Sequence, residues 1–307
     1  MFSIGHIDAS MRTDQGHVRD HNEDFIAREE PESAGEESRN GWLYIVADGV
    51  GGADKGEVAS EYATERTIHH YLVNDQPADW GERLRQAMQS ANTELRHMVT
   101  VLEPGNRMAT TMVAAVFHNG QATIANVGDS RAYHLRNSVL QQVTKDQSLV
   151  ARLVEEGAIT EKEALNHPRK NVILHSLGAE NSPQIDIFEV ELEIGDQIVL
   201  CSDGLTRHVM DDEIASIVSQ LSPSTATEKL IQLANDRGGE DNISVAVLRI
   251  GEQQAELETK STPIVASGVQ AQRSDAQMRQ ALWFYTAILI IVQIVLIVLV
   301  WNIINNS

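Results

Sequence analysis

The sequence predicts an α+β protein with largely antiparallel β-sheets flanked by helices, followed by one C-terminal transmembrane helix. Short β-like runs dominate residues 1–250, helical stretches come in groups instead of alternating with every strand, and one long uncharged segment lies beyond residue 280. Grouped strands and helices are typical of α+β folds. We therefore expect a folded domain at 1–250, a flexible polar linker at 251–280, a transmembrane helix at 281–304 and a short tail at 305–307.

Short apolar runs bounded by turn residues predict the strands, which cover 42–47, 112–117, 122–127, 131–135, 185–190, 197–200 and 243–250. Apolar residues at spacings of three and four predict long helices at 57–73 and 79–101, and shorter helices at 148–156, 211–220 and 224–236. The segment 28–41 contains five glutamates between two apolar runs. It is interpreted as a solvated hairpin tip, with a binding patch as the alternative.

The segment 282–301 has the length and composition of a membrane span. It contains no charged side chain, and Gln293 is the only polar residue between positions 287 and 300. Twenty residues at a rise of ~1.5 Å cover ~30 Å, the thickness of the hydrocarbon core. A buried core helix is the alternative. Arg273 and Arg279 precede the segment, and this charge bias predicts a single-pass membrane protein with its folded domain in the cytoplasm.

The charge balance excludes some partners. The chain has 24 Lys and Arg against 44 Asp and Glu, a formal net charge of −20. Nucleic-acid binding depends mainly on clustered Lys and Arg, so we expect no nucleic-acid partner. The single cysteine, Cys201, cannot form an internal disulfide. Its apolar neighbours suggest a small buried side chain instead of a reactive thiol.

Four aspartates lie where an apolar strand meets a small or turn residue: Asp48, Asp129, Asp203 and Asp241. Asp48 and Asp203 end predicted strands while Asp241 precedes one, so antiparallel neighbours would bring these side chains to one edge. Crowded carboxylates repel each other unless a cation holds them. Each aspartate alone would be interpreted as a turn or N-cap residue. Together they predict a metal site, and oxygen ligands favour Mg²⁺ or Mn²⁺ over zinc.

A fifth segment adds a cationic side chain to this pattern. Arg19 precedes Glu23 and Asp24 by four and five residues. Beside a metal site, its guanidinium could hold a phosphate through paired N–H···O bonds, with a surface ion pair as the alternative. The glycines after Asp48 do not complete a Walker or dinucleotide-binding motif, and the sequence contains no Gly-x-Ser-x-Gly nucleophile motif.

These segments, in this order, resemble the metal-dependent serine/threonine protein phosphatases of the type 2C or PPM family, in particular its bacterial members. The resemblance covers roughly residues 1–250. It rests on Arg19-Asp-His-Asn-Glu-Asp24, Val46-Ala-Asp-Gly-Val-Gly-Gly52, Met108-Ala-Thr-Thr-Met112, Val127-Gly-Asp-Ser-Arg131, Cys201-Ser-Asp-Gly204 and Gly238-Gly-Glu-Asp-Asn-Ile-Ser-Val245. It implies a β-sandwich of two mainly antiparallel sheets with helices on both outer faces, an αββα arrangement.

The resemblance also implies how metal ions are held. Asp48 would bridge two Mn²⁺ or Mg²⁺ ions, and the carbonyl of Gly49 would join the second ion. Asp203 and Asp241 would hold the first ion. Asp129, together with Asp203, would bind a third and weaker ion.

The remaining roles also follow from the resemblance. Glu23 and Asp24 would orient a metal-bound water, and Arg19 would take the substrate phosphate. Two such ions would lower the pKa of a shared water, which would attack phosphorus in line without a phosphoenzyme. The implied substrates are cytoplasmic proteins carrying phosphoserine or phosphothreonine, and the implied partner system is a serine/threonine kinase at the same membrane. The alternatives are a catalytically silent adaptor that binds phosphoproteins or a kinase, and an enzyme for small phosphate esters.

Three positions depart from patterns familiar in that family. Val50 stands where many animal members carry a histidine proposed as the general acid. Gln147 replaces a frequent histidine, and Ala109 replaces a frequent glycine. None of these changes removes a predicted metal ligand, but the first leaves the group that protonates the leaving alcohol unidentified.

Overall fold

The computed structural model describes residues 6–51, 55–74, 79–102 and 108–251, and contacts place all of these within one compact unit, 1–255. The strands are β1 (His6–Asp14), β2 (Asp24–Glu29), β3 (Trp42–Gly51), β4 (Met108–Thr110), β5 (Met112–His118), β6 (Gln121–Val127), β7 (Arg131–Arg136), β8 (Val139–Gln142), β9 (Asp186–Glu191), β10 (Gln197–Cys201) and β11 (Ile243–Gly251). The helices are α1 (Ala34–Asn40), α2 (Lys55–Val73), α3 (Trp80–His97), α4 (Leu149–Glu155), α5 (Glu161–Leu165), α6 (Asp203–Thr206), α7 (Asp211–Gln220) and α8 (Pro223–Asp236).

The strands form two sheets in which every pairing is antiparallel. The first sheet has the order β1-β11-β10-β7-β8. The second has the order β2-β3-β5-β6-β9, with β4 paired to β3. The first sheet therefore combines the two ends of the domain sequence, while β3, β5 and β6 form the middle of the second.

Side-chain alternation along β3 explains how the layers stack. Tyr44 and Val46 belong to an apolar cluster shared with Leu200 and Ala246 of the first sheet, so this cluster lies between the sheets. Leu43 and its neighbours two residues apart face the opposite way and pack against α2 and α3. A third cluster joins β10 and β11 to α7 and α8. The expected αββα sandwich is confirmed.

Capping residues set several helix starts. The Asp79 side chain accepts a 2.7 Å hydrogen bond from the Glu82 N–H and begins α3. Ser148 caps α4 in the same way, accepting from the Ala151 N–H at 3.3 Å. These side chains satisfy N–H groups that have no partner within the helix. The predicted helix at 79–101 ends earlier as an α-helix, because α3 passes into a π turn at Met98–Leu102.

The interpretation of 28–41 as a hairpin tip is only partly correct. The segment does connect the antiparallel strands β2 and β3, but it also contains the helix α1, which has no buried residue. Ser33 caps this helix, Glu36 and Glu37 lie in its first turn and Arg39 in its last. This charge order favours the helix dipole, so local electrostatics stabilise a short helix that apolar periodicity could not predict.

Strands β1, β2, β4 and β8 were not predicted from the sequence. They are polar or very short, as in β1, His6–Asp14, where only Ile7 is fully buried. Among the described residues, no helix is long and apolar enough to cross a membrane. The predicted transmembrane helix (281–304) and tail (305–307) lie outside the described residues, as does the linker (251–280) except Gly251, which ends β11.

One buried histidine makes the stability of this fold dependent on pH. The His118 ring stacks on Trp80, with centroids 4.3 Å apart and planes at 10°, and its Nε2 lies 2.8 Å from Thr123 Oγ1. Its other nitrogen, Nδ1, is buried without a hydrogen-bond partner among the described groups. Burial lowers the pKa of His118 to about 4, although the nearby Asp79 carboxylate opposes the shift. The folded state therefore favours the neutral ring.

We predict that the free energy of unfolding falls as pH decreases from about 6.5 towards 4, in part because unfolded His118 gains a proton that the folded protein rejects. The variant His118→Gln lacks this contribution. Urea unfolding at several pH values should therefore show that the free energy of unfolding of wild type exceeds that of the variant near neutral pH, and that this difference becomes smaller as pH falls. His97→Gln, at an exposed position of α3, is the matched control. A difference for His118→Gln that does not change with pH would contradict the prediction.

Candidate metal centre

Asp203 and Asp241 meet because β10 and β11 are antiparallel neighbours. Cys201, the last residue of β10, pairs with Val245 near the start of β11. Just beyond this pair, the Ser202 N–H donates to the Ser244 carbonyl at 3.0 Å, and the Ser244 N–H donates to Ser202 Oγ at 2.9 Å. Asp203 follows directly and begins α6. The expectation that strand ends would bring these two carboxylates together is confirmed.

Asp48 and Asp24 reach the same place from the second sheet. Asp48 does not end its strand as expected, because β3 continues through Gly51 by pairing with β4. It pairs in register with Asp24 at the start of β2. The Ser202 hydroxyl donates to Asp24 Oδ2 at 2.8 Å and so connects the two sheets. The facing of the sheets, not strand pairing alone, gathers these carboxylates.

Asn242 holds the segment that carries Arg19 and Glu23. Its Oδ1 accepts from the Glu23 N–H at 2.8 Å, while its Nδ2 donates to the carbonyls of Gln15 at 2.9 Å and His21 at 3.0 Å. The residue belongs to a motif recognised in the sequence, but it was not assigned a role there. Its adjacency to Asp241 was the only available signal, because three bonds to a loop more than 200 residues away depend on the fold.

Two guanidinium groups bind the carboxylates. Arg19 Nη2 lies 2.7 Å from Asp241 Oδ1, and Arg19 Nη1 lies 3.8 Å from Glu23 Oε2. Arg207 Nη1 lies 3.1 Å from Asp241 Oδ2, and its Nη2 forms an ion pair with Asp203. The sequence pointed to Arg19 but gave no reason to select Arg207. Arg207 lies beside the aspartates because it follows α6 directly, and only the folded structure shows this.

Burial and like charge act together on the strand carboxylates. Burial raises the pKa of Asp24 to about 7, and the charges of Asp203 and Asp241 add to the shift. Burial also raises the pKa of Asp48 well above its ordinary value, with further increases from Asp24, Asp203, Asp129 and Asp241. The predicted acids therefore lie within electrostatic reach of one another.

Asp129 joins the group from the turn that precedes β7. Burial raises its pKa to about 7, with a further contribution from the Asp203 charge. The preceding turn is held by Gln147, whose Oε1 accepts from the Gly128 N–H at 2.9 Å and whose Nε2 donates to Asp186 Oδ2 at 2.8 Å. The glutamine that departs from the family pattern thus positions the turn before Asp129.

The other two departures lie opposite each other. Val50 in β3 pairs in register with Ala109 in β4, next to the pair formed by Gly49 and Thr110. The Thr110 hydroxyl and the Thr111 N–H both donate to the Asp48 carbonyl at 2.9 Å. The β3–β4 pairing therefore holds the backbone at Asp48, whereas Val50 itself is 39% exposed and has no ionisable group.

The acidic residues fit a hard divalent cation. Within the described ranges, one oxygen of each of three carboxylates is buried without a hydrogen-bond partner: Asp24 Oδ1, Asp129 Oδ1 and Asp203 Oδ1. Such oxygens are costly unless a cation compensates them. No group of three or more acidic, histidine or cysteine side chains in those ranges already has metal-holding geometry. Arg19 and Arg207 instead bind Asp203 and Asp241, so binding a metal requires side-chain rearrangement.

Comparison with known proteins agrees with this arrangement. The family described as Protein phosphatase 2C matches residues 17–236. The chain belongs to this family. The serine/threonine phosphatase stp of Listeria monocytogenes is 40% identical over 249 residues, which cover 78% of this chain and 94% of that protein. The enzyme class expected from the sequence is confirmed, so this chain is a metal-dependent protein phosphatase of the serine/threonine type.

Two solved structures show the same fold. The Streptococcus agalactiae serine/threonine phosphatase has a TM-score of 0.72 at 33% identity, covering 80% of this chain and 100% of that one. The catalytic domain of the phosphatase PstP was solved in complex with two manganese ions. It has a TM-score of 0.68 at 32% identity, and the match covers 80% of this chain and 99% of that one. The expected manganese or magnesium cofactor agrees with these relatives. The roles of individual residues in this phosphatase stay predictions.

Glycines at two positions of the phosphatase let backbone segments approach closely. A Cβ at Gly49 would lie 2.2 Å from the Gly56 carbonyl oxygen, and a Cβ at Gly204 would lie 1.9 Å from the Asn242 carbonyl oxygen. Neither glycine is among those with positive φ. Close approach of backbone segments, and not a positive φ, is therefore why glycine follows Asp48 and Asp203.

We predict that Gly204→Ala lowers the free energy of unfolding by about 1–3 kcal/mol, because its Cβ would push α6 away from the start of β11. Phosphatase activity should fall as well, since that movement separates Asp203 from Asp241. Gly35→Ala in the exposed helix α1 is the control, because its nearest neighbour to a new Cβ is 4.0 Å away. Urea unfolding and p-nitrophenyl phosphate hydrolysis measure the two effects. Wild-type stability in Gly204→Ala would refute the close-contact interpretation.

Proposed function

We propose that this phosphatase removes phosphate from phosphoserine and phosphothreonine of proteins in a reaction that needs two Mn²⁺ or Mg²⁺ ions, with a third bound more weakly. The observation that carries the proposal is the convergence of carboxylates from both sheets, with unpartnered buried oxygens on Asp24, Asp129 and Asp203. The proposed metal ligands are Asp48, the Gly49 carbonyl, Asp129, Asp203 and Asp241, whereas Asp24 would face a metal-bound water. When bound, the ions supply Lewis-acid activation of water and neutralise the phosphate charge.

Arg19 is proposed to bind the substrate phosphate. Its side chain is 45% exposed, so a ligand can reach it, and Asp241 holds its Nη2 at 2.7 Å. A guanidinium offers paired N–H donors that match phosphate oxygens. Local attraction outweighs the net charge of −20, because repulsion from distant charges is screened over ~8–10 Å.

Glu23 and Asp24 are proposed to orient the attacking water. Glu23 is 7% exposed, its N–H is held by Asn242, and its Oε1 accepts from the Gly56 N–H at 3.2 Å. Asp24 is bonded at Oδ2 by Ser202, which leaves Oδ1 as the acceptor for a water proton. These contacts hold both carboxylates in fixed directions. In-line attack on phosphorus requires such positioning, since misalignment is costly for the rate.

We predict that Asp203→Asn lowers phosphatase activity by about 100-fold or more, because loss of a direct ligand should cost at least as much as loss of an outer-sphere partner. The full-length protein should hydrolyse p-nitrophenyl phosphate and a phosphothreonine peptide with Mn²⁺, and chelation with EDTA should stop both reactions. Asp8→Asn, at an exposed position of β1, is the charge-matched control. Folded wild-type protein without Mn²⁺-dependent turnover would favour the adaptor alternative. Turnover of the small ester alone would favour a small-ester hydrolase.

We further propose that the phosphatase is anchored to a membrane, with its catalytic domain in the cytoplasm and opposing a serine/threonine kinase at that membrane. Support comes from the uncharged segment 282–301 and from Arg273 and Arg279 before it. The polar residues 251–280 would act as a tether with a reach of about 30 Å. Because the net charge is −20, the catalytic domain should be repelled from anionic lipids.

We predict that the full-length chain stays with membranes after carbonate extraction, whereas a chain ending at Ala255 is recovered in the soluble fraction with its activity intact. Replacing Gln293 with Leu should retain membrane attachment, since it removes the central polar residue of the segment. Fractionation with an activity assay measures both results. Soluble recovery of the full-length chain would refute the anchor without affecting the proposed chemistry.

A further inference from the structure

Arg207 lies where the predicted metal ligands meet. It is the residue that caps the C-terminus of α6, and its side chain is 24% exposed. Its Nη2 forms an ion pair with Asp203, and its Nη1 lies 3.1 Å from Asp241 Oδ2. One guanidinium therefore bridges the two carboxylates that are predicted to hold the first metal ion.

The field at this position keeps the guanidinium charged. Burial opposes the charge, but Asp203, Asp241 and Asp48 outweigh it and raise the pKa of Arg207. Arg207 in turn opposes the upward shift in the pKa of Asp129. Its charge therefore acts on the predicted ligands from both sheets, and it compensates part of their mutual repulsion.

The same carboxylate oxygens cannot serve the guanidinium and a metal ion in full at the same time. Asp203 already binds Arg207 through Oδ2, while its Oδ1 is buried and without a partner. Each oxygen of Asp241 already has two donors: Oδ1 is bound by Arg19 at 2.7 Å and by the Asn242 N–H at 3.0 Å, and Oδ2 by Arg19 at 2.9 Å and by Arg207 at 3.1 Å. A divalent ion ligated by both carboxylates must therefore displace at least one of these donors.

We propose that Arg207 is an internal competitor for the divalent cation, which neutralises Asp203 and Asp241 before a metal binds and has to release at least one of them for the metal to be held. This inference rests on the proposed metal-dependent function of the site. Arg207 thus weakens metal affinity while it stabilises the metal-free protein. The enzyme would lose its ions more readily than one with a neutral residue at this position.

Removal of Arg207 should not prevent folding. Asp241 retains its 2.7 Å contact with Arg19. The backbone of α6 is also independent of the side chain, because the Arg207 N–H donates to the Asp203 carbonyl at 2.9 Å. The variant therefore separates the charge of the guanidinium from the support that the helix gives to Asp203.

The test is a Mn²⁺ titration of the full-length protein, with free Mn²⁺ followed by its electron paramagnetic resonance signal. Arg207→Gln should bind Mn²⁺ about tenfold more tightly than wild type, equivalent to about 1.4 kcal/mol. Arg207→Lys keeps the charge but loses the two-pronged geometry, so it should bind with intermediate affinity. Arg152→Gln is the matched control, because it breaks another Arg–carboxylate pair four residues apart, with Glu156, on exposed surface.

Thermal unfolding supplies a second readout. In EDTA, Arg207→Gln should unfold at a lower temperature than wild type. Saturating Mn²⁺ should raise the Tm of the variant by more than it raises the Tm of wild type. Mn²⁺ affinity equal to or weaker than wild type in Arg207→Gln would overturn the proposal. If that variant does not fold, the same comparison for Arg207→Lys decides. Wild type that binds no Mn²⁺ would instead refute the proposed function, so the two failures can be distinguished.

Discussion

Repulsion among buried carboxylates is the constraint on which the rest of this site depends. Asp24 and Asp48 come from one sheet, and Asp203 and Asp241 come from the other. Neighbouring charges in a partly dehydrated environment destabilise the fold unless cations compensate them. The sandwich tolerates the arrangement because apolar clusters on both faces of each sheet hold the strands in place.

Hydrogen bonds from polar side chains fix the directions of the carboxylates within this rigid frame. The Ser202 hydroxyl links the two sheets at Asp24, and Asn242 holds the loop that carries Glu23. The two arginines lie outside the strands: Arg19 reaches the acids from a loop, and Arg207 from the end of the short helix α6. The site thus combines carboxylates held at the ends of strands with two guanidinium groups that neutralise part of their charge.

Positions that depart from the family pattern are explained by their neighbours. Gln147 uses both ends of its amide, one to hold the turn at Gly128 and the other to bind Asp186. Val50 and Ala109 lie opposite each other in the β3–β4 pairing. In the sequence, these residues were three separate departures, none of which removes a predicted metal ligand. In the fold they support the backbone around two of the predicted ligands.

The sequence by itself determined the apolar strands, the longer helices and the identity of the acidic residues, because alternation, capping and turn residues act over a few neighbouring positions. It could not reveal polar strands such as β1, whose ladder partner β11 lies at the other end of the domain sequence. Nor could it select Arg207 or Asn242, because their roles consist of contacts with distant segments. Only the tertiary structure decided which cations face which carboxylates, since the pairing of charges depends on distances that chain order does not encode.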